Sequence, residues 1–368
     1  MEWRRESKYN SFNSYKGLAY YEHYKNTVKW LDGEEKLCPP IECNLDPFAE
    51  CNLNCYFCIV QRYIKNHREE VGLMRKLPTE YIYRLVDFLS SWGVKGLCIS
   101  GGGEPSLHAG IWGIPQYAVS KGIDVSFVTN GVNISDKLAE NLMSCRWVAL
   151  SVDSGNREQY KVIKGRDSFD KVVSNIKRLS ELRRKTNAKV DLCFKCLILP
   201  ENMYSIYEIC KLAKEIGVQD FHIRPVDFER KDINGYKKLA INVERVNDEF
   251  TKCHELETPD FRVYTITHKF DPKFHVKHDF SKCFPTLIMP LLTDGNIYLC
   301  VDKKMDAKFR VGSAFPDPEE LLKIWGSDSH KELIKSVDIN QCSRCTGSQY
   351  NAQIENTVIQ DRMCLSFP

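Results

Sequence analysis

The chain has 368 residues, 43% hydrophobic and 27% charged, with a formal net charge of +3. That supplies apolar material for a sizeable core and length for about two domains. The near-neutral charge argues against nucleic acid as a partner, and short basic runs such as Arg183-Arg184-Lys185 and Lys303-Lys304 read as solvated surface. No apolar run approaches the roughly 18 residues of a membrane span. The opening MEWRRESKYN lacks the apolar core of a signal peptide, so the expectation is a cytoplasmic protein without a membrane partner. In a reducing compartment its 16 cysteines read as metal ligands or buried small hydrophobes rather than disulfides.

In chain order, residues 1–40 read as a helical N-terminal extension, with a helix over 20–30. Residues 41–255 show a βα rhythm repeated about six times, expected to give a parallel sheet curled into a partial barrel. Strand 1 falls near 41–47. Three helices end in glycine and lead at once into strands: Gly93 before 94–100, Gly122 before 123–129 and Gly217 before 218–226. Ile82, Leu85, Val86 and Leu89 follow helical spacing, as do Ile206, Ile209, Leu212, Ala213 and Ile216. Short apolar runs at 125–128 and 147–150 suit strands buried on both faces, and strand 5 falls near 189–199. From about 256 the rhythm stops, and residues 256–368 read as a smaller C-terminal α+β domain.

The strongest chemical signal is Cys51-Asn-Leu-Asn-Cys55-Tyr-Phe-Cys58, directly after strand 1. Three thiolates on one loop can cap three irons of a cubane and leave the fourth iron open to a small molecule. A structural zinc would want a fourth ligand nearby and paired C-x2-C spacing. A zinc knuckle or chance clustering are the bland alternatives.

A C-x3-C-x-aromatic-C run after the first strand of a βα barrel resembles the radical S-adenosylmethionine (SAM) superfamily. The resemblance implies a partial (βα)6 TIM-like barrel, with Cys51, Cys55 and Cys58 holding a [4Fe–4S] cluster and Phe57 beside the adenine of SAM. Cleavage of SAM would yield a 5′-deoxyadenosyl radical that abstracts hydrogen from substrate. Further motifs fall at the other strand ends. Gly102-Gly103-Glu104-Pro105 matches the family's GGEP segment, which binds the SAM amino group. Thr129-Asn130-Gly131 stands where the family meets the adenosine, and Ser151 and Asp153 where it contacts the ribose. Lys164 or Arg166 would meet the SAM carboxylate; a helix-end charge is the bland reading of both. Lys195 lies on strand 5, and Asn202 opens the next helix. On strand 6, His222 and Arg224 share a face by alternation. With Asp227 they are the candidates for catalytic roles, against a satisfied structural pair. Active sites of parallel sheets gather at this carboxyl edge.

A second set comprises Cys283, Cys300 after Gly295, and Cys342-Ser-Arg-Cys345, with Asp294-Gly295 as a hairpin signal that would bring Cys283 and Cys300 together. Four thiolates suit a fully ligated cubane or a structural zinc. With Val311-Gly312 and Ile324-Trp325 between, the pattern resembles the SPASM or shortened twitch auxiliary-cluster region, which implies a second [4Fe–4S] cluster. Cys364 reads as a bystander. The resemblance covers roughly residues 41–350. Cys38, Cys43, Cys98, Cys145, Cys193, Cys196, Cys210 and Cys253 read mostly as buried free thiols. His268, His275 and His278 are candidate substrate contacts at the mouth, with a metal site the lesser reading.

The function expected is a radical SAM oxidoreductase-like enzyme, making a net oxidation of a small polar molecule, such as a sugar or cyclitol, or of a peptide side chain. It would draw on an electron donor such as flavodoxin or ferredoxin. The alternatives are a redox-neutral rearrangement or epimerisation on a nucleoside or nucleic acid, and a non-enzymatic iron–sulfur or zinc protein.

Overall fold

Helix-stopping glycines space the strands of this protein along one sheet. The computed structural model describes residues 3, 14–60, 75–226, 240–267, 278–342 and 344–359. Asp227, His268, His275 and Cys364 lie outside the described residues. Helix α1 (Tyr21–Asp32) precedes strand β1 (Glu42–Leu45). Helix α2 (Thr79–Trp92) buries Tyr81, Ile82, Leu85, Val86 and Leu89 and ends at Gly93, whose φ of 102° only glycine adopts without strain. Gly122 and Gly217, both at φ 82°, end later helices in the same way.

The alternation then runs β2 (Gly96–Ile99), α3 (Ile114–Ser120), β3 (Asp124–Thr129), α4 (Asp136–Leu142) and β4 (Trp147–Ser151). It continues with α5 (Arg157–Lys164), α6 (Phe169–Thr186), β5 (Asp191–Ile198), α7 (Ile206–Glu215), β6 (Asp220–Pro225) and α8 (Val243–His254). Strand β7 (Arg262–Thr265) is parallel to β6. Its four residues follow a tight turn within the segment where the βα rhythm is expected to have stopped, too short for a periodicity to reveal.

Strands β8 (Ile288–Leu291), β9 (Asn296–Tyr298) and β10 (Arg310–Ser313) join the same sheet, whose order is β10-β9-β8-β1-β2-β3-β4-β5-β6-β7. Strand β8 pairs parallel with β1, while β9 and β10 run antiparallel. The Asp294-Gly295 hairpin lies where the sequence puts it, with Gly295 at φ 76°. The result is an open, mostly parallel sheet with β7 and β10 at its ends.

One face of the sheet is apolar. Phe127, Leu150, Phe194 and Phe221 are fully buried in a single core with the α2 stripe, each worth roughly 1.5–3 kcal/mol on burial. The opposite face carries Ser151, Lys195, His222 and Arg224, because alternation sends every second residue inward. Helix α1 packs on the C-terminal region: Thr27 and Thr286 hydroxyls meet at 2.7 Å, and Trp30 donates to the Gly326 carbonyl at 2.9 Å. Helices α9 (Leu321–Ile324), α10 (Asp328–Lys335) and α11 (Ser348–Gln353) complete that region. Among the described residues no helix is long and apolar enough to cross a membrane.

Candidate active site

The loop after β1 holds its three cysteines against a cleft of about 260 Å³ at the carboxyl ends of the parallel strands. Cys51, Cys55 and Cys58 all line it, together with Phe57, Gly103, Glu104, Thr129, Asn130, Ser151, Asp153 and Lys164. The loop is pinned at several points. The Leu53 amide donates to the Cys51 sulfur (3.4 Å) and the Cys58 amide to the Cys55 carbonyl (3.1 Å). The Asn130 amide donates to Asn52 Oδ1 (2.7 Å) and approaches the Cys51 sulfur at 3.8 Å. Burial pushes the Cys51 thiol up, and pushes Cys55 up to about 12 despite the nearby Lys164 ammonium. Thiolate ligation of a metal centre by this loop is therefore coupled to release of thiol protons.

The glycine loop explains itself by contact. A Cβ on Gly103 would stand 2.2 Å from the Glu50 carbonyl oxygen and 2.5 Å from the Ala49 carbonyl carbon. Here backbone runs against backbone: Gly103 N–H donates to Phe48 and Glu104 N–H to Glu50 at 2.7 Å. Glu104 is buried, and its carboxylate accepts from Thr129 Oγ1 (2.6 Å), Asn130 N–H (2.7 Å) and Ser106 N–H (3.0 Å). Burial raises its pKa, opposed by these bonds. Glu104 thus ties the ends of β2 and β3 together beside the thiols. Gly102 and Pro105 sit behind the cleft lining; Gly102 packs against Met305 from the C-terminal region.

At the end of β4, Asp153 takes a left-handed backbone (φ 62°). One carboxylate oxygen accepts the Leu197 amide at 2.7 Å, and the other pairs with Lys164. Both side chains of this pair are only 3% exposed. Burial alone would lower the Lys164 pKa; Asp153 and the Cys55 thiol outweigh it and hold the ammonium above its usual range. Lys164 also lies 5.6 Å above the Phe57 ring, and its carbonyl accepts the Asn54 amide of the cysteine loop. Arg166, the other candidate of the pair, is exposed and outside the cleft. Asn202 is fully buried and donates to the Asp153 and Leu197 carbonyls, fixing the β4 and β5 ends.

The floor of the cleft is formed by Lys195, His222 and Arg224. Behind His222, Asp220 lies 3.7 Å away, and its other oxygen accepts from Arg262 Nε at 2.6 Å. The Cys193 thiol donates to Asp220 at 3.3 Å. Burial lowers the His222 pKa, offset in part by Asp220, so the ring is neutral at pH 7. Cys193, Asp220 and His222 bring ligand atoms within 4.8 Å of one another. Arg262 already occupies the carboxylate of this trio, so Asp220 serves an ion pair with Arg262. Sequence reasoning missed Asp220 and Arg262; the i, i+2, i+4 alternation of Asp220, His222 and Arg224 was the available signal.

The second cysteine set also converges. Burial pushes the Cys283, Cys300 and Cys345 thiols up, and Asp302 and neighbouring cysteines of the set add to it for each. Asp302 fastens the set. It is buried, it accepts from Thr346 N–H (2.6 Å) and Thr346 Oγ1 (3.0 Å), and it forms an ion pair with Arg344 at 3.0 Å. Among the described residues, no three sulfurs of either cysteine set lie within 4.8 Å of one another.

Of the other cysteines, Cys43, Cys98, Cys145, Cys193, Cys196, Cys210 and Cys253 are buried, and Cys38 is half-buried.

Residues 46–213 match the family described as the Radical SAM superfamily. The mycofactocin maturase MftC of Mycolicibacterium smegmatis is 29% identical over 186 residues, covering 50% of this chain and 44% of that protein. A probable GTP 3′,8-cyclase of Pyrococcus abyssi is 34% identical over 136 residues, covering 36% of this chain and 41% of that protein. The matched part thus spans less than half the length of these two relatives. The fold is similar to that of Streptococcus suis SuiB, solved with S-adenosylmethionine and with precursor peptide SuiA. The TM-score is 0.64 in both cases, at 17% and 18% identity, covering 89% of this chain and 77% and 76% of the SuiB chains.

Proposed function

We propose, from the premise that this chain carries a radical SAM domain, that it binds SAM in the cleft and abstracts hydrogen from a substrate seated on the cleft floor. One observation carries the reading: three thiols, the Glu104 carboxylate and the buried Asp153–Lys164 pair converge on one cleft at the carboxyl edge of a parallel sheet. Cys51, Cys55 and Cys58 would hold a [4Fe–4S] cluster. When bound, cluster and SAM supply the electron and the group needed for hydrogen-atom abstraction.

The remaining roles belong to this chain. Gly103 and Glu104 shape the wall that receives the SAM amino group, with Pro105 and Gly102 supporting it. Thr129, Asn130 and Phe57 flank the adenosine. Ser151 and Asp153 face the ribose, and Lys164 rather than the exposed Arg166 is the basic partner of the SAM carboxylate. Asn130 and the Leu53 amide direct donors at Cys51, which stabilises its thiolate.

Cys283, Cys300, Cys342 and Cys345 would hold a second [4Fe–4S] cluster, with a structural zinc as the alternative for four thiolates. A fully ligated second cluster suits removal of an electron from the substrate. The leading reaction is therefore a net oxidation of a small polar molecule or a peptide side chain, with a flavodoxin or ferredoxin as donor. The likeness to MftC and to SuiB supports the peptide branch. The likeness to a GTP cyclase favours a second reading, a redox-neutral rearrangement on a nucleoside-type substrate.

Anaerobic reconstitution tests the proposal. About eight irons per chain, with SAM- and dithionite-dependent release of 5′-deoxyadenosine, is the expected result. Cys51→Ala/Cys55→Ala/Cys58→Ala should abolish the release, and Cys342→Ala/Cys345→Ala should remove about half of the iron. An intact protein that neither forms a cluster nor binds SAM would sink the reading. Product mass separates the two reactions: loss of two hydrogens marks oxidation, and an unchanged mass marks rearrangement.

A further inference from the structure

Asn351, on α11, is only 3% exposed and lies against the C-terminal cysteines. One bond sets the orientation of its side chain: Oδ1 accepts the Phe284 amide at 2.9 Å. A backbone N–H can only donate, so this bond fixes which end of the Asn351 amide is oxygen. Phe284 directly follows Cys283, and the opposite end, Nδ2, is turned into the cysteine set. It donates to the Cys345 sulfur at 3.7 Å. It also reaches Cys283. Burial pushes that thiol up, with Cys300 and Cys342 adding to it, and the bond from Asn351 works the other way.

The first cysteine set carries a smaller version of the same device. Asn130 approaches the Cys51 sulfur at 3.8 Å, but it also donates to Asn52 Oδ1 at 2.7 Å. Asn351 reaches two sulfurs where Asn130 reaches one. A neutral amide with two N–H groups can serve both without adding charge to the site. N–H donors aimed at sulfur favour thiolate over thiol. They also draw charge away from a metal bound there, which raises its reduction potential.

We propose that Asn351 is a positioning residue for the C-terminal metal centre: it holds Cys283 and Cys345 as thiolates and raises the reduction potential of the cluster they ligate. The inference rests on the reading of these four cysteines as ligands of a second [4Fe–4S] cluster, and adds what sets that cluster's potential.

Two variants separate the donor from the pin. Asn351→Asp keeps an oxygen for the Phe284 amide and removes both N–H donors. Asn351→Leu removes donors and pin together and adds no charge. EPR-monitored redox titration of the anaerobically reconstituted full chain reads each centre, and Cys51→Ala/Cys55→Ala/Cys58→Ala assigns the C-terminal signal. Both Asn351 variants should lower the equilibrium constant for reducing the C-terminal centre about tenfold, a negative shift of about 59 mV. The first centre should keep its wild-type potential. Unchanged potentials in both variants at full iron loading would overturn the proposal. So would equal shifts at both centres, which mark a general disturbance. Iron lost in Asn351→Leu alone, with a wild-type potential in Asn351→Asp, would reduce Asn351 to its bond with Phe284 and overturn it too. If neither variant retains the C-terminal iron, Cys51→Ala/Cys55→Ala/Cys58→Ala with isotope-labelled asparagine side-chain nitrogen decides. Pulsed EPR of its reduced centre should show coupling to that nitrogen, and no coupling would overturn the proposal. Failure of the underlying reading shows separately: if Cys342→Ala/Cys345→Ala holds as much iron as the wild type, no cluster sits there, and the proposal falls with it.

Discussion

Asp153→Asn isolates the buried charge beside the cysteine loop. Asp153 and Lys164 are each 3% exposed, so solvent screens their pair little. Asparagine tolerates the left-handed backbone at φ 62°. Its side-chain oxygen can still accept the Leu197 amide, which stands at 2.7 Å in the wild type. The substitution therefore removes little besides charge, and leaves the Lys164 ammonium buried without its counter-ion. Removing one member of a buried pair costs about 3–5 kcal/mol. Lys164→Met on the same background removes the stranded charge, and the double variant should recover about half of that loss or more. Denaturant unfolding of the reconstituted protein, followed by far-UV circular dichroism and by cluster absorbance, measures both. A loss below about 1 kcal/mol for Asp153→Asn would mean that the pair behaves like a solvated surface bridge. A double variant no better than the single would mean that the loss does not come from an unpaired charge. Either result refutes the reasoning.

Other consequences are open to measurement. His330 is buried between the Trp30 and Trp325 rings, and burial lowers its pKa from 6.5 to about 4. Between those values the unfolded chain takes up a proton that the folded chain does not, so stability is complete above pH 6.5 and falls as pH drops toward 4. The loss approaches about 3 kcal/mol, and His330→Phe should flatten that part of the pH–stability curve; an unchanged slope contradicts the assignment. Gly103→Ala should cost about 1–3 kcal/mol and lower the iron retained by the first cysteine set, because its Cβ would press on backbone rather than on a movable side chain. Full iron loading in that variant would contradict the close-approach argument. Asp302→Asn weakens charge-assisted bonds worth about 1.5–3 kcal/mol. Iron analysis should then show depletion of the C-terminal set, and undiminished loading would show that the Asp302 clamp is dispensable.

The βα order, the helix stops at Gly93, Gly122 and Gly217, and the Cys51–Cys58 loop were legible in the sequence because each depends on near neighbours. Periodicity, left-handed glycine and ligand spacing are local properties. The strand-end motifs were legible too, since alternation and strand ends give each residue a face and an edge. Which of Lys164 and Arg166 lines the cleft was not, because it turns on which side chain meets Asp153. Strand β7 and the pairing of β8 with β1 were hidden for a similar reason. Four-residue strands carry almost no period, and Pro290 in β8 speaks against a central strand. By itself the sequence marked the cysteine loop and the edge of the sheet where the candidate residues gather. Tertiary structure alone decided which polar groups meet across the fold. Asp220 with Arg262, Asp302 with Thr346 and Lys195 beside Arg224 meet through packing between distant strands and loops, and no local pattern encodes that.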